Sequence, residues 1–445
     1  MAQPSQALPV NQPQDFPPEF EKRTYKKVIW RLMPFLFMCY IFAYVDRVNV
    51  GFAGLDMKRD LGMNDAVFGI GSGIFFIGYL FFQIPCNIAL QKIGAKRWLG
   101  PIMIVWGLVS ACTMFVHGTF DFYAVRFVLG IVESGFFPGV ILYLTFWFTG
   151  RYRAQMVAIF MTAIPLSGFI FGPISGWLMK RLNDVGGLHG WQWLFVVEAV
   201  PSMLAGLASM LFLENGPHSA HWLNAAERDM LCLRLAEDEA LKKTTVGGHA
   251  RFADALRKPA VWLFCVIYFG SVSGNYALQF WLPQIVKNTL TKDQFSIGLL
   301  TMIPWGVTAI AMVLIGRHSD KTGERTYHIA ICVAAGGLGL ALSAIPGISG
   351  AFGLFALTIA CAGLVSSSST FWSLPTLYLS GTAATAGIAM INSIGNLGGQ
   401  VGPYIVGFIS NRFHSMTIAL FTLASLCWLS AFIAIKFFRH NPVKP

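Results

Sequence analysis

Charge is what this sequence has least of. Only 12% of its 445 residues are Asp, Glu, Lys or Arg, against roughly 25% in a soluble domain. A soluble chain this long needs far more charge to cover its outside. With 55% of residues apolar and a mean hydropathy of +0.59, much of the surface must face lipid. Cysteine is sparse as well. The eight, at 39, 86, 112, 232, 265, 332, 361 and 427, make no C-x-x-C pair, and all but Cys232 fall within apolar stretches. That excludes a disulfide scaffold and reads as buried thiols acting as small hydrophobes. No Cys/His cluster has metal-ligand spacing, and no serine stands in a Ser/His/Asp set. The expectation is a protein that is not an enzyme and carries no metal or cofactor. Residues 1–20, rich in Pro and Gln, hold no apolar signal-peptide core and read as a short disordered tail.

What is present is aromatic and long. The 38 Phe and 13 Trp exclude a disordered chain. Twelve mostly apolar stretches reach the length of about 20 residues that a lipid-spanning helix needs: 28–51, 66–90, 98–117, 121–147, 154–180, 191–213, 260–286, 296–316, 327–346, 350–379, 383–411 and 416–438. The fold class expected is therefore all-α, with 12 transmembrane helices in two six-helix bundles. The net charge of +11 reports topology rather than nucleic acid. Most Lys and Arg, among them Lys22, Arg23, Lys26, Lys27, Lys92, Lys96, Arg97, Arg151 and Arg153, fall on the side that holds the N-terminus, and an even number of spans returns the C-terminus there. That side is expected to be the cytoplasm, with the chain in a bacterial inner membrane.

The longest polar stretch, 214–258, separates spans 6 and 7. It holds the capping-box pattern Asn224-Ala-Ala-Glu227, then a charged helix to about Lys242, then a break at Gly247-Gly248. The expected organisation is a tail (1–27), a first bundle (28–213), a linker (214–258), a second bundle (259–439) and a short tail (440–445). The halves repeat. Lys92-Ile-Gly94 after span 2 corresponds to Lys321-Thr-Gly323 after span 8, an offset of 229. Gly172-Pro173 in span 5 corresponds to Gly402-Pro403 in span 11, an offset of 230. Duplicated helical halves place a substrate site between them, near the bilayer midplane.

At these residues the chain resembles the major facilitator superfamily. The loop motif G-x-x-x-D-[RK]-x-G-x-[RK] is intact at Gly316-Arg-His-Ser-Asp320-Lys321-Thr-Gly323-Glu-Arg325, and degraded in the first half, where Asn87 and Gln91 replace its Gly and Asp. Within the superfamily the chain resembles the anion:cation symporter group, on Tyr44-Val-Asp46-Arg47-Val-Asn49-Val-Gly51-Phe52-Ala53, Arg126-Phe-Val-Leu-Gly130-Ile-Val-Glu133, Gly190-Trp191-Gln-Trp193-Leu-Phe195 and Asn275-Tyr276-Ala-Leu-Gln-Phe280-Trp281-Leu-Pro283. The resemblance implies carriage of a small organic anion such as tartrate, an aromatic carboxylate or a sugar acid.

Ionisable groups inside a span are costly and read as functional candidates. The central ones are Asp46, Arg47, Arg126 and Glu133. Arg126 and Glu133 are two turns apart on one helix face; Asp46 and Arg47 point about 100° apart. The four charges sum to zero and allow Asp46–Arg126 and Arg47–Glu133 pairs. The 229 offset maps Asp46 to Asn275, Arg47 to Tyr276, Arg126 to Phe355 and Glu133 to Ala362, so the cluster belongs to one half only. A guanidinium forks onto a carboxylate, which makes Arg47 the best anion ligand. A carboxylate removed from water takes up a proton more readily, so Asp46 and Glu133 are the proton-coupling candidates. Protonating Glu133 would release Arg47 for substrate. The resemblance implies the same assignment. It adds Tyr44, Tyr79, Ser369, Trp372 and Asn392 to a pocket that Arg126, Asn275 and Tyr276 also line, and Asp320, Lys321, Arg325, Gly172 and Pro173 to conformational gating. Glu198, beside Pro201, reads as structural. The expected partners are a small organic anion, protons and lipid, for a monomer that binds no nucleic acid. A facilitator or exchanger without proton coupling stays open.

Overall fold

The computed structural model describes residues 16–245, 257–378 and 382–438. They are helical almost throughout. Eleven stretches are long and apolar enough to cross a membrane: α1 (Pro18–Asp60), α2 (Asp65–Ile93), α3 (Ala95–Phe115), α4 (Thr119–Thr145), α5 (Tyr152–Arg181), α6 (Gly190–Phe212), α7 (Pro259–Thr289), α8 (Gln294–Thr322), α9 (Thr326–Ser343), α10 (Gly350–Pro375) and α12 (Met416–Phe438). The remaining expected span, α11, is two helices, Thr382–Asn396 and Gly398–Phe413, that meet at Leu397. Glycines 395, 398, 399 and 402 crowd that junction, where they lower helix propensity and let the backbone approach its neighbours closely. The expected Gly247-Gly248 break, residues 1–15 and the tail 440–445 lie outside the described residues.

The first helix begins earlier than the hydropathy suggested. It starts at Pro18, with proline in the first turn and Glu19 and Glu21 beside the positive end of the helix dipole. Residues 18–27, expected as tail, are therefore helix. They are held by the linker. Asn224 and Glu227 form the expected capping box, with Glu227 N donating to Asn224 Oδ1 (2.7 Å) and Asn224 N to Glu227 Oε2 (3.0 Å). The linker helix Ala225–Thr245 that follows binds α1 through Lys27–Glu227 (2.7 Å) and Arg234–Glu21 (3.2 Å).

The repeat is visible in the caps. Asn64 accepts from Val67 N (2.9 Å) at the start of α2, and Asp293 accepts from Ser296 N (3.0 Å) at the start of α8. Both caps and both donors are 229 apart. The halves meet along two seams, α5 on α8 and α2 on α11. Glycine makes both possible: a Cβ on Gly298 would stand 2.4 Å from the Gly172 carbonyl oxygen, and one on Gly407 would stand 2.2 Å from that of Asp65. Gly69 and Gly298, again 229 apart, occupy matching places on α2 and α8.

Polar bonds between the bundles gather at the face opposite the start of α1, called the far face below. Lys287 Nζ donates to the Leu55 carbonyl (2.7 Å), Lys180 pairs with Asp293 (2.5 Å), Ser410 Oγ donates to Asp65 (2.7 Å), and Gln294 bonds Asp56. Towards the other face the helix Gly150–Met161, which contains the start of α5, packs on helices of its own bundle. The molecule is thus closed at the far face. Its outer surface is studded with exposed large hydrophobes, among them Leu211, Phe120, Phe432 and Ile331, too many for a surface in water.

Candidate functional site

Helix α1 breaks at Asn49 into Pro18–Val48 and Val50–Asp60, and α4 breaks after Glu133. The central charges sit at those breaks. Arg47 and Glu133 form one of the two pairs the sequence allows: Arg47 Nε donates to Glu133 Oε1 (2.9 Å), and Nη2 donates to the same oxygen. The third guanidinium nitrogen, Nη1, donates to the Tyr276 hydroxyl (3.2 Å). Arg47 keeps 11% of its side chain exposed, Glu133 only 2%, and Glu133 Oε2 has no partner. The rings of Phe75, Tyr44 and Tyr79 surround the guanidinium, with centroids at 5.1, 5.5 and 5.6 Å. Such rings attract a cation and screen it from water.

The second allowed pair does not form. Asp46 is fully buried and accepts from Trp106 Nε1 (3.0 Å), Ser110 Oγ (2.9 Å) and Ser202 Oγ (2.5 Å). Arg126 instead donates through Nη2 to the carbonyls of Arg47 and Ser72, 3.2 Å each. Its Nε and Nη1 have no partner, and it lies between the rings of Phe75 and Phe280. The cause is the helical rotation between neighbours. Arg47 faces the space between the bundles, so Asp46, about 100° round the helix, faces α3 and α6 inside the first bundle. The polar cage of Trp106, Ser110 and Ser202 was missed in the sequence, where single polar residues in apolar spans give no pairing signal.

The second bundle closes the site with neutral groups. Tyr44 OH donates to Gln279 Oε1 (2.8 Å), and Gln279 Nε2 to Asn275 Oδ1 (2.8 Å), so an i, i+4 pair on α7 is tied to α1. Tyr276 meets Arg47 directly. Of the other expected residues, Tyr79 is one of the rings around Arg47, while Ser369, Trp372 and Asn392 bond or pack elsewhere. Ser369 is exposed and donates to its own helix at the Ser366 carbonyl (2.7 Å). Trp372 packs its ring on Tyr268 at the end of α10, and Asn392 accepts from Asn396 (3.0 Å). Tyr79 is nearly buried beside Phe75.

Of the expected gating residues, Asp320 pairs with Arg325 (2.7 Å) inside the α8–α9 loop, and both Asp320 and Lys321 are exposed. Arg325 also donates to Ser319 Oγ (2.9 Å). Gly172 and Pro173 lie against Gly298 in the α5–α8 seam. Among the described residues no group of His, Cys, Asp and Glu could hold a metal ion.

The Major Facilitator Superfamily model matches residues 36–403. The chain belongs to that superfamily. It is 44% identical, over 95% of its length and 93% of the relative's, to an Agrobacterium vitis protein named "Putative tartrate transporter". It is 42% identical, over 93% of its length and 94% of the relative's, to the Pseudomonas putida protein named "Putative metabolite transport protein NicT". Among solved structures, a bacterial homologue of the human lysosomal transporter Spinster, in an inward-facing and occupied conformation, shares the fold with a TM-score of 0.73 at 14% identity, covering 94% of this chain and 97% of that one. This superfamily member is a multi-pass membrane transporter of an organic small molecule, not an enzyme, and the expected twelve-helix, two-bundle fold is the one found.

Proposed function

We propose that the chain is a proton-coupled symporter that imports a small organic anion across a bacterial plasma membrane by alternating access, with both termini in the cytoplasm. The observation that carries this reading is the Arg47–Glu133–Tyr276 contact. It presents a guanidinium on the line between the bundles, already holding a carboxylate in the fork that a substrate carboxylate would need. Glu133 is then a competitor for Arg47. When a proton neutralises Glu133, the ion pair weakens and the fork is free for the substrate anion. When the anion leaves, Glu133 gives up its proton and closes on Arg47 again. Proton and anion thus move together because they share one cation. The Tyr276 hydroxyl follows the guanidinium, and the amides of Asn275 and Gln279 offer hydroxyl-recognising groups on the same wall. Arg126, with two unpartnered donors, keeps the local field positive. A tartrate-like hydroxy acid, a sugar acid or an aromatic carboxylate would each present what Arg47 binds; the relative named for tartrate favours an acid of this class.

The experiment is uptake into proteoliposomes. An imposed inward proton gradient should drive accumulation of the anion, and Arg47→Lys should abolish its binding in a thermal-shift screen of organic acids. Accumulation indifferent to the proton gradient would leave a facilitator or exchanger.

A further inference from the structure

Asp46 is sealed in the first bundle, so a proton can reach it only along a chain of polar groups. Arg47, on another face of α1, bonds Glu133 of α4, and neither side chain bonds Asp46. A different set does. Ser202, whose hydroxyl donates to Asp46, lies one helical turn from Glu198 on the same face of α6. Glu198 is 2% exposed; its Oε1 accepts from Ser175 Oγ of α5 (2.6 Å), and its Oε2 has no partner. Asn49, at the break in α1 and three residues after Asp46, is equally buried. Its amide lies beside Glu198 without reaching hydrogen-bond geometry, and neither of its side-chain polar atoms is paired. Unpaired buried groups of this kind are costly and call for a reason.

The reason is next to them. Asn49 and Ser175 both line a cavity between α1, α5, α7 and α8, bounded also by Tyr44, Gln279 and Thr301, with about 30 Å³ open to the centre of a water molecule. A single water needs roughly 10–15 Å³ by that measure and two to four polar neighbours. Tyr44, whose ring faces Arg47 and whose hydroxyl bonds Gln279, lines this cavity together with Gly172 of the α5–α8 seam. The charged group facing Glu198 from the helices packed on α6 is Asp46 of α1. At that level α5 contributes the Ser175 hydroxyl, and α3 contributes Trp106 and Ser110 to Asp46.

We propose that Glu198 is a proton-transfer residue that connects this cavity to Asp46. A hydrated proton in the cavity is taken up by the Ser175 oxygen as the Ser175 hydroxyl passes its own proton along its bond to Glu198 Oε1, so one O–H forms on Glu198, Ser175 exchanges one O–H for another, and water is left. The protonated carboxyl then turns along α6, by one helical turn, to bring that O–H to Ser202, whose oxygen accepts the proton as its hydroxyl passes its own to Asp46, so one O–H forms on Asp46 for each broken on Glu198. Glu198 returns to carboxylate, and the reverse sequence discharges Asp46. This relay rests on the proton-coupled reading above, and the residue that the sequence placed as structural becomes part of the coupling path.

The test compares Glu198→Gln with Glu198→Asp and the wild type in proteoliposomes. Two assays are used: uptake driven by a proton gradient, across a range of external pH, and substrate counterflow without a gradient. Glu198→Gln keeps the shape and the Ser175 bond but cannot carry a proton. It should lower gradient-driven uptake by about tenfold or more and flatten its pH profile, with counterflow close to wild type. Glu198→Asp should restore the pH profile. Ser202→Ala, which removes the bridge, should show the same split between the two assays. Gradient-driven uptake unchanged in Glu198→Gln would overturn the relay, as would equal losses of uptake and counterflow in Glu198→Gln with no rescue by Asp, the mark of a structural role. A wild type that ignored the proton gradient would instead defeat the coupling reading itself, which separates the two failures.

Discussion

Arg47 and Tyr276 are 229 residues apart, the offset that relates the two halves of the chain, and they touch: Arg47 Nη1 donates to the Tyr276 hydroxyl at 3.2 Å. Equivalent positions of a duplicated unit can meet only near the axis that relates the copies, so this contact marks the axis. One half supplies the cation, the other a neutral phenol. We predict that Arg47→Lys, which keeps charge but loses the fork, weakens anion binding by about tenfold or more, and that Tyr276→Phe has a smaller effect in the same direction. Isothermal titration of both variants checks this; wild-type affinity in Arg47→Lys would remove Arg47 as the ligand.

A second prediction separates coupling from binding. Glu133 spends one oxygen on Arg47 and leaves the other unpartnered. Glu133→Gln mimics the protonated state permanently, so it should bind anion with less dependence on pH. Counterflow should persist, since exchange needs no net proton movement, while concentrative uptake fails. Full accumulation under a proton gradient in Glu133→Gln would take Glu133 out of the mechanism.

The sequence made much of this legible, because the signals were strong and repeated. Apolar runs of span length, paired offsets at Lys92/Lys321 and Gly172/Gly402, and four charges in otherwise apolar helices carried the fold and the central cluster. Three things were not legible, for physical reasons. The start of α1 at Pro18 depends on docking against the linker helix through Glu21 and Lys27, a tertiary contact that hydropathy does not register. The partner of Asp46 depends on helix rotation: charge balance suggested Arg126, but side-chain direction gave Asp46 to Trp106, Ser110 and Ser202. Ser369 and Asn392, assigned to the pocket by resemblance, also bond within their own helices, local partners that a sequence does not display.

The loop motif gives a third prediction. Asp320 holds Arg325 at 2.7 Å while remaining 72% exposed, so the pair shapes the loop between α8 and α9 without burying charge. An exposed pair contributes little stability. Asp320→Asn should therefore leave folding and anion affinity close to wild type and slow transport, as expected of a residue that acts in the conformational step. Stopped-flow uptake against equilibrium binding separates these; a wild-type rate would show that the loop does not gate.

At the far face Asp293 caps α8 and accepts from Lys180 across the seam. The Lys180 bond first, then the Ser296 backbone and hydroxyl donors, hold its carboxyl down at about 2. The sign follows: a carboxyl whose value is lowered on folding contributes above its ordinary range near 3.9 and loses that contribution only as pH falls towards 2. Between pH 5 and 8 the Lys180–Asp293 bond is expected to stay constant, so pH dependence of transport in that window must come from elsewhere. Asp293→Asn should raise labelling of a far-face cysteine by the same factor at the two ends of that window. A factor that changes with pH would make this pair a proton sensor.

The last prediction concerns the seams themselves. Closure of the far face brings α5 and α8 together at Gly172 and Gly298, where a Cβ on Gly298 would stand 2.4 Å from a backbone oxygen that cannot turn aside. Alanine at 298 therefore cannot be accommodated by a rotamer change; the helices must separate or the closed state must be lost. Elsewhere α8 is unaffected, since alanine favours helix over glycine by about 1 kcal/mol. Overpacking at such a contact typically costs about 1–3 kcal/mol, so Gly298→Ala should shift the population towards a state open at the far face by about 5- to 150-fold while the protein stays folded. Anion binding from the far side should persist and turnover should fall, because the carrier no longer closes behind its substrate. The check is labelling of cysteines placed in the α5–α8 seam, beside transport. If Gly298→Ala labels and transports like wild type, the seam is looser than its geometry indicates, and closure must rest on the Lys287–Leu55, Gln294–Asp56 and Ser410–Asp65 bonds instead.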